Sequence, residues 1–255
     1  MPLNVEVRGD GPPLVLLHGF TQTGRLWGPL GDRLAQDHTL VAIDLPGHAG
    51  SDGERADLAG TAQLVADAVA ASIGTEEPAL IGYSLGARVA LHVLTATGLR
   101  PTKVALIGAT GGIEDESARA ARRDADTATA DALEASGDVE GFIDRWLSGP
   151  MFERLADSAG GAERLRNTAA GLASSLRLCG TGTQEPLWTG LGEVDVPTLA
   201  LAGADDARFA AHALRMARVM PQTVASLVPG GGHAVHLAQP LTVGRLLGHW
   251  FAGEQ

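Results

Sequence analysis

The sequence predicts an α/β fold: a mostly parallel sheet with helices on both faces and a helical cap inserted near its middle. Three observations carry this. Six short apolar runs each end in a turn signal, helical patterns separate them, and the alternation breaks over one long polar helical stretch. Alternation of this kind gives parallel strands joined by right-handed helical crossovers. The 255 residues fit one such domain with an insertion.

The apolar runs are "PLVLLHGF", "TLVAIDLPG", "PALIGYS", "KVALIGATGG", "PTLALAGADD" and "TVASLVPGGGH". Each reads as a strand buried on both faces, since it is continuous rather than alternating. Between them "LWGPLGDRLAQD", "TAQLVADAVAASIG" and "RVALHVLTATG" read as helices. From about residue 111 to 190 the strand-like runs stop. There "ESARAARRDADTATADALEAS", "VEGFIDRWL", "MFERLADS" and "AERLRNTAAGLASSLRLCG" are helical and highly charged. The expected organisation is a core of residues 1–110 and 191–255 with a cap of residues 111–190. In such sheets chemistry collects at the C-terminal ends of the strands. Those ends carry His18, Gly19, Asp44, Ser84, Asp206 and His233.

Composition narrows the function. A net charge of −11 makes nucleic acid and anionic membranes poor partners. The single cysteine, Cys179, excludes an intrachain disulfide and makes a cytoplasmic location the default. The N-terminal "MPLNVEVRGDG" lacks the basic start and apolar core of a signal peptide. No run is long enough to span a bilayer.

The chemistry centres on Gly82-Tyr83-Ser84-Leu85-Gly86, a G-x-S-x-G pentapeptide between an expected strand and an expected helix. That context makes a sharp turn with the serine at its tip. A serine hydroxyl needs a base to take its proton, and the base needs an orienting carboxylate. The chain order expected for this turn is serine, acid, histidine. His233 follows the last run, and Asp206 follows the run before it, with Asp205 as the alternative acid. His236 is expected to pack nearby without acting as the base. Developing negative charge would meet the backbone amides of Phe20, in the loop after the first run, and of Leu85. His48 reads as structural, and His38, His92, His212 and His249 form no cluster with metal-ligand spacing. No metal or other cofactor is expected, and no nucleotide-binding glycine fingerprint follows the first strand.

Arg88 is out of place. It falls in the first turn of the apolar helix after Ser84, where a cation opposes the helix dipole by about 0.3–1 kcal/mol. Lying four residues after Ser84, it shares that residue's helix face, so either it is a solvated charge or it waits for an anion.

These residues resemble the α/β-hydrolase superfamily over essentially the whole chain. More narrowly they resemble the synthases of 2-succinyl-6-hydroxy-2,4-cyclohexadiene-1-carboxylate (SHCHC) in menaquinone biosynthesis. "GYSLGARVAL", "ARAARRDAD", "FIDRWLSGPMF", "LRNTAAGLASSLRLCGTGTQEPLW", "GADDARF" and "GGGHAVH" carry the narrower match. The resemblance implies a carbon–oxygen lyase that eliminates pyruvate from the 5-enolpyruvyl precursor, SEPHCHC, with a serine–histidine–aspartate triad and no obligatory acyl-enzyme. It implies substrate contacts from Tyr83, Arg88, Arg122, Trp146, Arg166 and also Phe152, with Gln184 to Trp188 closing the cap. Arg123 competes with Arg122 for its role. Without the resemblance, Arg122 and Arg166 read as solvated charges on cap helices. The expected ligand is a small polycarboxylate, and the expected state a monomer or small homo-oligomer. Two departures stand out: Ala49 replaces a common glycine, and Gln239 replaces a frequent glutamate. The rival readings are a hydrolase of esters, thioesters or C–C bonds working through an acyl-enzyme, and a ligand-binding module without catalysis.

Overall fold

The structure, a computed structural model, describes residues 2–153, 155 and 161–252. All six apolar runs form strands: β2 (Pro13–Leu17), β3 (Thr39–Ile43), β4 (Ala79–Tyr83), β5 (Val104–Ile107), β6 (Thr198–Gly203) and β7 (Thr223–Val228). A further strand, β1 (Val5–Arg8), was not expected. It runs antiparallel to β3 at the edge of the sheet. It is short, and Glu6 and Arg8 interrupt its apolar pattern, the charged character that keeps an edge from pairing with other chains.

The sheet has seven strands in the order β1-β3-β2-β4-β5-β6-β7, with every pair except β1–β3 parallel. Successive side chains of a strand point to opposite faces, so the continuous runs feed two cores. Leu14, Leu16, Leu40 and Ile81 pack with Leu30 and Leu34 of α1 (Gly28–Leu34). Val15, Leu17, Val41 and Leu80 pack on the other face with Val65 and Val69 of α2 (Leu58–Ile73) and Val89 and Val93 of α3 (Leu85–Ala96).

Between β5 and β6 the chain forms α4 (Glu116–Ser136), α5 (Val139–Leu147), α6 (Gly161–Arg164) and α7 (Ala169–Cys179). Side-chain caps start three of them: Asp115 accepts from Ala118 N at 2.7 Å, Asp138 from Gly141 N at 2.8 Å and Thr168 from Gly171 N at 3.0 Å. Each satisfies an otherwise orphaned first-turn amide. This insertion has its own small core of Leu133, Phe142, Leu172 and Leu176, against which Phe20 of the sheet domain packs. The expected helix over "MFERLADS" is not formed where it is described. Pro150–Phe152 makes one 3-10 turn, and residues 154 and 156–158 lie outside the described ones. After β6 come α8 (Ala207–Val219), α9 (Val235–Ala238) and α10 (Pro240–Ala252). Val243 and Leu247 of α10 complete the core beside α1.

The strand order reverses direction between β2 and β4. Loops leaving those two strands part to opposite faces and open a crevice at their C-terminal ends. The Phe20 loop and Ser84 both stand there. The approach of α3 to β2 is what makes the crevice narrow. A Cβ on Gly86 would stand 2.1 Å from Leu17 O, and one on Gly82 would stand 2.5 Å from Gly86 O. Both partners are backbone and neither can swing aside.

Gly86→Ala should therefore destabilise the fold by about 1–3 kcal/mol or more, the range for forced overpacking. Gly98→Ala, at a position with open space around it, should change the urea midpoint little. Equal midpoints for the two variants would show that the α3–β2 contact is not tight.

Candidate active site

Ser84 sits between β4 and α3 with φ 50° and ψ −104°, a left-handed conformation that non-glycine residues rarely adopt. Two backbone hydrogen bonds hold it there. Ser84 N donates to Ile107 O at 2.8 Å, and Gly86 N donates to His18 O at 3.0 Å. The turn is thereby tied to β5 on one side and to the loop after β2 on the other.

His233, Asp206 and Ser84 are brought into one hydrogen-bonded line. His233 Nε2 is 3.0 Å from Ser84 Oγ, and His233 Nδ1 is 3.0 Å from Asp206 Oδ2. A carboxylate accepts the Nδ1 proton, which leaves Nε2 to accept the serine hydroxyl. Asp206 also caps α8, accepting from Phe209 N at 3.2 Å. Burial raises its carboxyl, but the hydrogen bond and charge of His233 outweigh that and hold it below the usual carboxylate range. The neighbouring Asp205 is exposed. Its amide donates to Gly231 O at 2.9 Å, fastening the two loops that deliver the acid and the base.

The two residues expected to supply amide donors, Phe20 and Leu85, line the same cleft as Ser84. Leu85 is the first residue of α3, so its N–H has no intrahelical acceptor. Phe20 is the second residue of a turn in which Gln22 N donates to Gly19 O at 3.0 Å. Among the described residues neither amide has a hydrogen-bond acceptor.

Ser84 opens into a cleft of about 660 Å³, its mouth included, between the strand ends and the insertion. Phe20, Leu85, Trp146, Met151 and Leu176 give it an apolar wall, and three arginines line it: Arg88, Arg122 and Arg208. No carboxylate lines it among the described residues, although the chain carries a net charge of −11. Arg88 is 8% exposed and spends one donor on Cys179 O at 2.7 Å. Burial lowers it to about 10, so it stays cationic at neutral pH. Arg122 Nε pairs with Asp126 Oδ1 at 2.8 Å. Trp146 stacks on Phe142 at 6.0 Å and meets Phe20 edge-on at 5.1 Å. Phe152 lies 6.2 Å from the His233 ring.

Two of the sequence assignments change. Arg166 is not in the cleft: it is partly exposed and pairs with Glu163 Oε1 at 2.5 Å. The arginine of that segment that turns inward is Arg164, 1% exposed, whose Nη1 donates to Thr21 Oγ1 at 2.5 Å. Arg164 is the last residue of α6 and Arg166 lies in the turn that follows, so the two are not carried on one helix face. Tyr83 does not line the cleft either. It is the last residue of β4, and its side chain goes to the face of α1 and α10. There it packs behind the site, 5.5 Å from His233 and 4.1 Å from His236. Arg123, the competitor of Arg122, is exposed.

Arg208 was missed. It lies in the "GADDARF" stretch already singled out for its acid, two residues past Asp206, and nothing in the spacing distinguishes it from an ordinary helix-surface charge. The remaining groups have structural roles. His18 links the loops after β2 and β3, with Nδ1 2.8 Å from Gly19 O and Nε2 accepting from Leu45 N at 3.0 Å. Gln184 and Trp188 hold the end of the insertion against the segment after β5, through Thr110 O and Gly112 O. Burial raises the Cys179 thiol to about 11, which leaves it unreactive at neutral pH. Ala49 takes φ 39°, a conformation that glycine adopts at no steric cost.

Comparison with known proteins follows the same lines. The profile of the Alpha/beta hydrolase family matches residues 14–245. A 2-succinyl-6-hydroxy-2,4-cyclohexadiene-1-carboxylate synthase of Klebsiella pneumoniae (strain 342) is 35% identical, covering 91% of this chain and 90% of its own. A pimeloyl-[acyl-carrier protein] methyl ester esterase of Xanthomonas campestris pv. campestris (strain B100) is 29% identical, covering 98% of this chain and 99% of its own. Among solved structures, MenH from S. aureus superposes with a TM-score of 0.91 at 28% identity, covering 98% of each chain.

Burial drives His236 and His48 down from 6.5 to about 3. Both are fully buried and neutral in the folded chain, whereas in the unfolded chain they gain protons below pH 6.5. Stability is therefore retained above pH 6.5 and lost as pH falls toward 3, by up to about 1.4 kcal/mol per pH unit per histidine. His236→Phe, measured by denaturant unfolding at pH 7, 6 and 5, should flatten that slope by about one proton. An unchanged slope would mean that His236 is protonated in the folded chain.

Proposed function

The chain belongs to the alpha/beta hydrolase family, and we propose that within it Ser84, His233 and Asp206 form the triad of a carbon–oxygen lyase that eliminates pyruvate from SEPHCHC to give SHCHC in menaquinone biosynthesis. The single observation that carries this reading is the cleft itself. A serine–histidine–aspartate line opens into a pocket with three arginines and no carboxylate. SEPHCHC bears three carboxylates, and an acidic protein has no general reason to gather three cations around one cleft, one of them, Arg88, buried. Curated synthase relatives at 29–35% identity over most of the chain point the same way.

His233 Nε2 takes the Ser84 proton, helped by Asp206, which stabilises the imidazolium that forms. The Ser84 oxygen then removes the proton α to the succinyl carbonyl. Negative charge spreads onto that carbonyl oxygen, where the Phe20 and Leu85 amides stabilise it by about 2.7–4 kcal/mol per donor. The electron pair returns through the ring, forms the conjugated diene and breaks the bond to the enolpyruvyl oxygen. The departing enolate takes up a proton and becomes pyruvate. Arg88, Arg122 and Arg208 bind the carboxylates, a task suited to a planar guanidinium that stays charged. Trp146 and Phe152 pack on the ring. The substrate is a small molecule and the enzyme works in the cytoplasm as a monomer or small homo-oligomer. No helix among the described residues is long and apolar enough to cross a membrane.

The esterase relative favours a second reading, ester hydrolysis through an acyl-enzyme at Ser84. Pyruvate release from freshly generated SEPHCHC, corrected for spontaneous elimination, separates the two. Wild type should release pyruvate fast, and Ser84→Ala should fall to near background. A well-folded wild type without release, but with burst hydrolysis of an activated ester, would establish the hydrolase instead. In the lyase, Arg88→Ala should weaken substrate binding by about 2–5 kcal/mol, the cost of removing one partner of a buried charge pair. Its effect on KM should exceed its effect on the cleavage of a neutral ester.

A further inference from the structure

Apart from Ser84, the described residues include two non-glycine positions in the left-handed region, Thr21 at φ 65° and Ala49 at φ 39°. One side chain holds both. Asn167 Nδ2 donates to Thr21 O at 3.0 Å and to Arg164 O at 2.9 Å, and Asn167 Oδ1 accepts from Ala49 N at 3.0 Å. Asn167 belongs to the insertion and is 4% exposed. Its amide group is thus saturated by three backbone segments: the loop after β2, the loop after β3 and the C-terminal end of α6.

Thr21 is the third residue of the turn from Gly19 to Gln22. A positive φ there is the mark of a type II turn, and the position normally falls to glycine. For a β-branched residue it is an outlier that persists only when its surroundings impose it. The insertion imposes it: Arg164 grips the Thr21 side chain and Asn167 grips its carbonyl, and Glu163 adds a 2.9 Å bond from Thr23 Oγ1 one step further along the loop. The second residue of this same turn is Phe20, whose amide is free to meet a ligand oxygen.

We infer that Asn167 is a positioning residue that sets the Phe20 amide in the oxyanion site, so that docking of the insertion and assembly of that site are one event. The inference rests on the reading of Phe20 and Leu85 as the oxyanion donors. It does not depend on whether the reaction is elimination or hydrolysis. Without Asn167 the turn relaxes toward an ordinary conformation for threonine, and the Phe20 N–H swings away. A displacement of about 1 Å at such a donor costs up to about a hundredfold in rate.

The test uses the full chain and two variants. Asn167→Ala removes all three bonds. Asn167→Asp keeps the volume and the acceptor for Ala49 N, but sets a carboxylate against the Thr21 and Arg164 carbonyls. The first measurement is the rate at which an alkyl fluorophosphonate modifies Ser84, because the phosphoryl oxygen occupies the oxyanion site as the bond forms. The second is the kcat and KM of pyruvate release from SEPHCHC. Both variants should slow phosphonylation by about 10- to 100-fold and lower kcat by a similar factor, with KM within about threefold, when each is assayed well below its own thermal midpoint, which the buried carboxylate lowers in the aspartate variant. Wild-type phosphonylation and kcat in the aspartate variant would overturn the inference, whatever became of the alanine variant's stability. A loss confined to KM would overturn it too, since that marks a residue serving substrate binding. If wild type releases no pyruvate while phosphonylation still depends on Asn167, the lyase reading falls and the positioning role stands.

Discussion

Everything at this site depends on the steric jam between α3 and β2. Gly86 lies so close to Leu17 O that no Cβ fits, and neither does one on Gly82 beside Gly86 O. The helix can start that near the sheet only if the chain turns within one residue, and Ser84 is that residue, held at φ 50°. Its backbone strain is sustained by hydrogen bonds to Ile107 and His18, which are parts of the sheet domain's most buried layer. Strain at a functional residue persists when its surroundings over-determine it. The reward is geometric: the hydroxyl comes within 3.0 Å of His233 Nε2, while among the described residues the Leu85 amide at the start of α3 has no acceptor.

The electrostatics of the cleft run against those of the whole chain. Arg88 occupies the first turn of α3, where the helix dipole opposes it, and burial, with the neighbouring Arg122 charge, lowers its proton affinity. One carbonyl, Cys179 O, compensates in part. Arg122 is offset by Asp126, one of whose carboxylate oxygens is buried without a partner among the described residues. Such an arrangement is costly in an empty pocket, and a ligand bringing its own carboxylates relieves it. The cleft is in this sense poised for anions before any arrive. Trp146 meets both Phe20 and Phe152, and Phe152 meets the His233 ring, so the three line up as a flat apolar surface.

The core of the fold was legible because its strands are buried on both faces and so read as unbroken apolar runs, each stopped by glycine, proline or aspartate. β1 was not, because four residues at an edge, two of them charged, carry neither period nor length. The meeting of Ser84, Asp206 and His233 was legible because the serine pentapeptide, the aspartate and the histidine each follow a strand, and topology alone brings strand ends together. The arginines were only half legible. Arg88 announced itself by standing in an apolar helix. Arg164 and Arg166 could not be told apart, since two arginines in one short helical turn look alike until the turn's orientation is known. Arg208 and Asn167 carried no signal at all. What they face lies across the chain, and no local pattern encodes that.

The insertion leaves the sheet after β5 and returns at β6, and these two strands are hydrogen-bonded neighbours. A segment whose two ends lie side by side closes on itself without crossing the scaffold. It can lengthen, shorten or be exchanged while the strands beneath keep their register. Ser84, Asp206 and His233 are all on the permanent part, whereas Arg122, Trp146 and Phe152 are on the exchangeable one. Such a division lets one catalytic frame acquire new substrates by trading a single contiguous piece of chain. Asn167 and Arg164 set a limit on that freedom: a replacement must bring its own grip on Thr21, or the frame beneath it loses the alignment on which its chemistry relies.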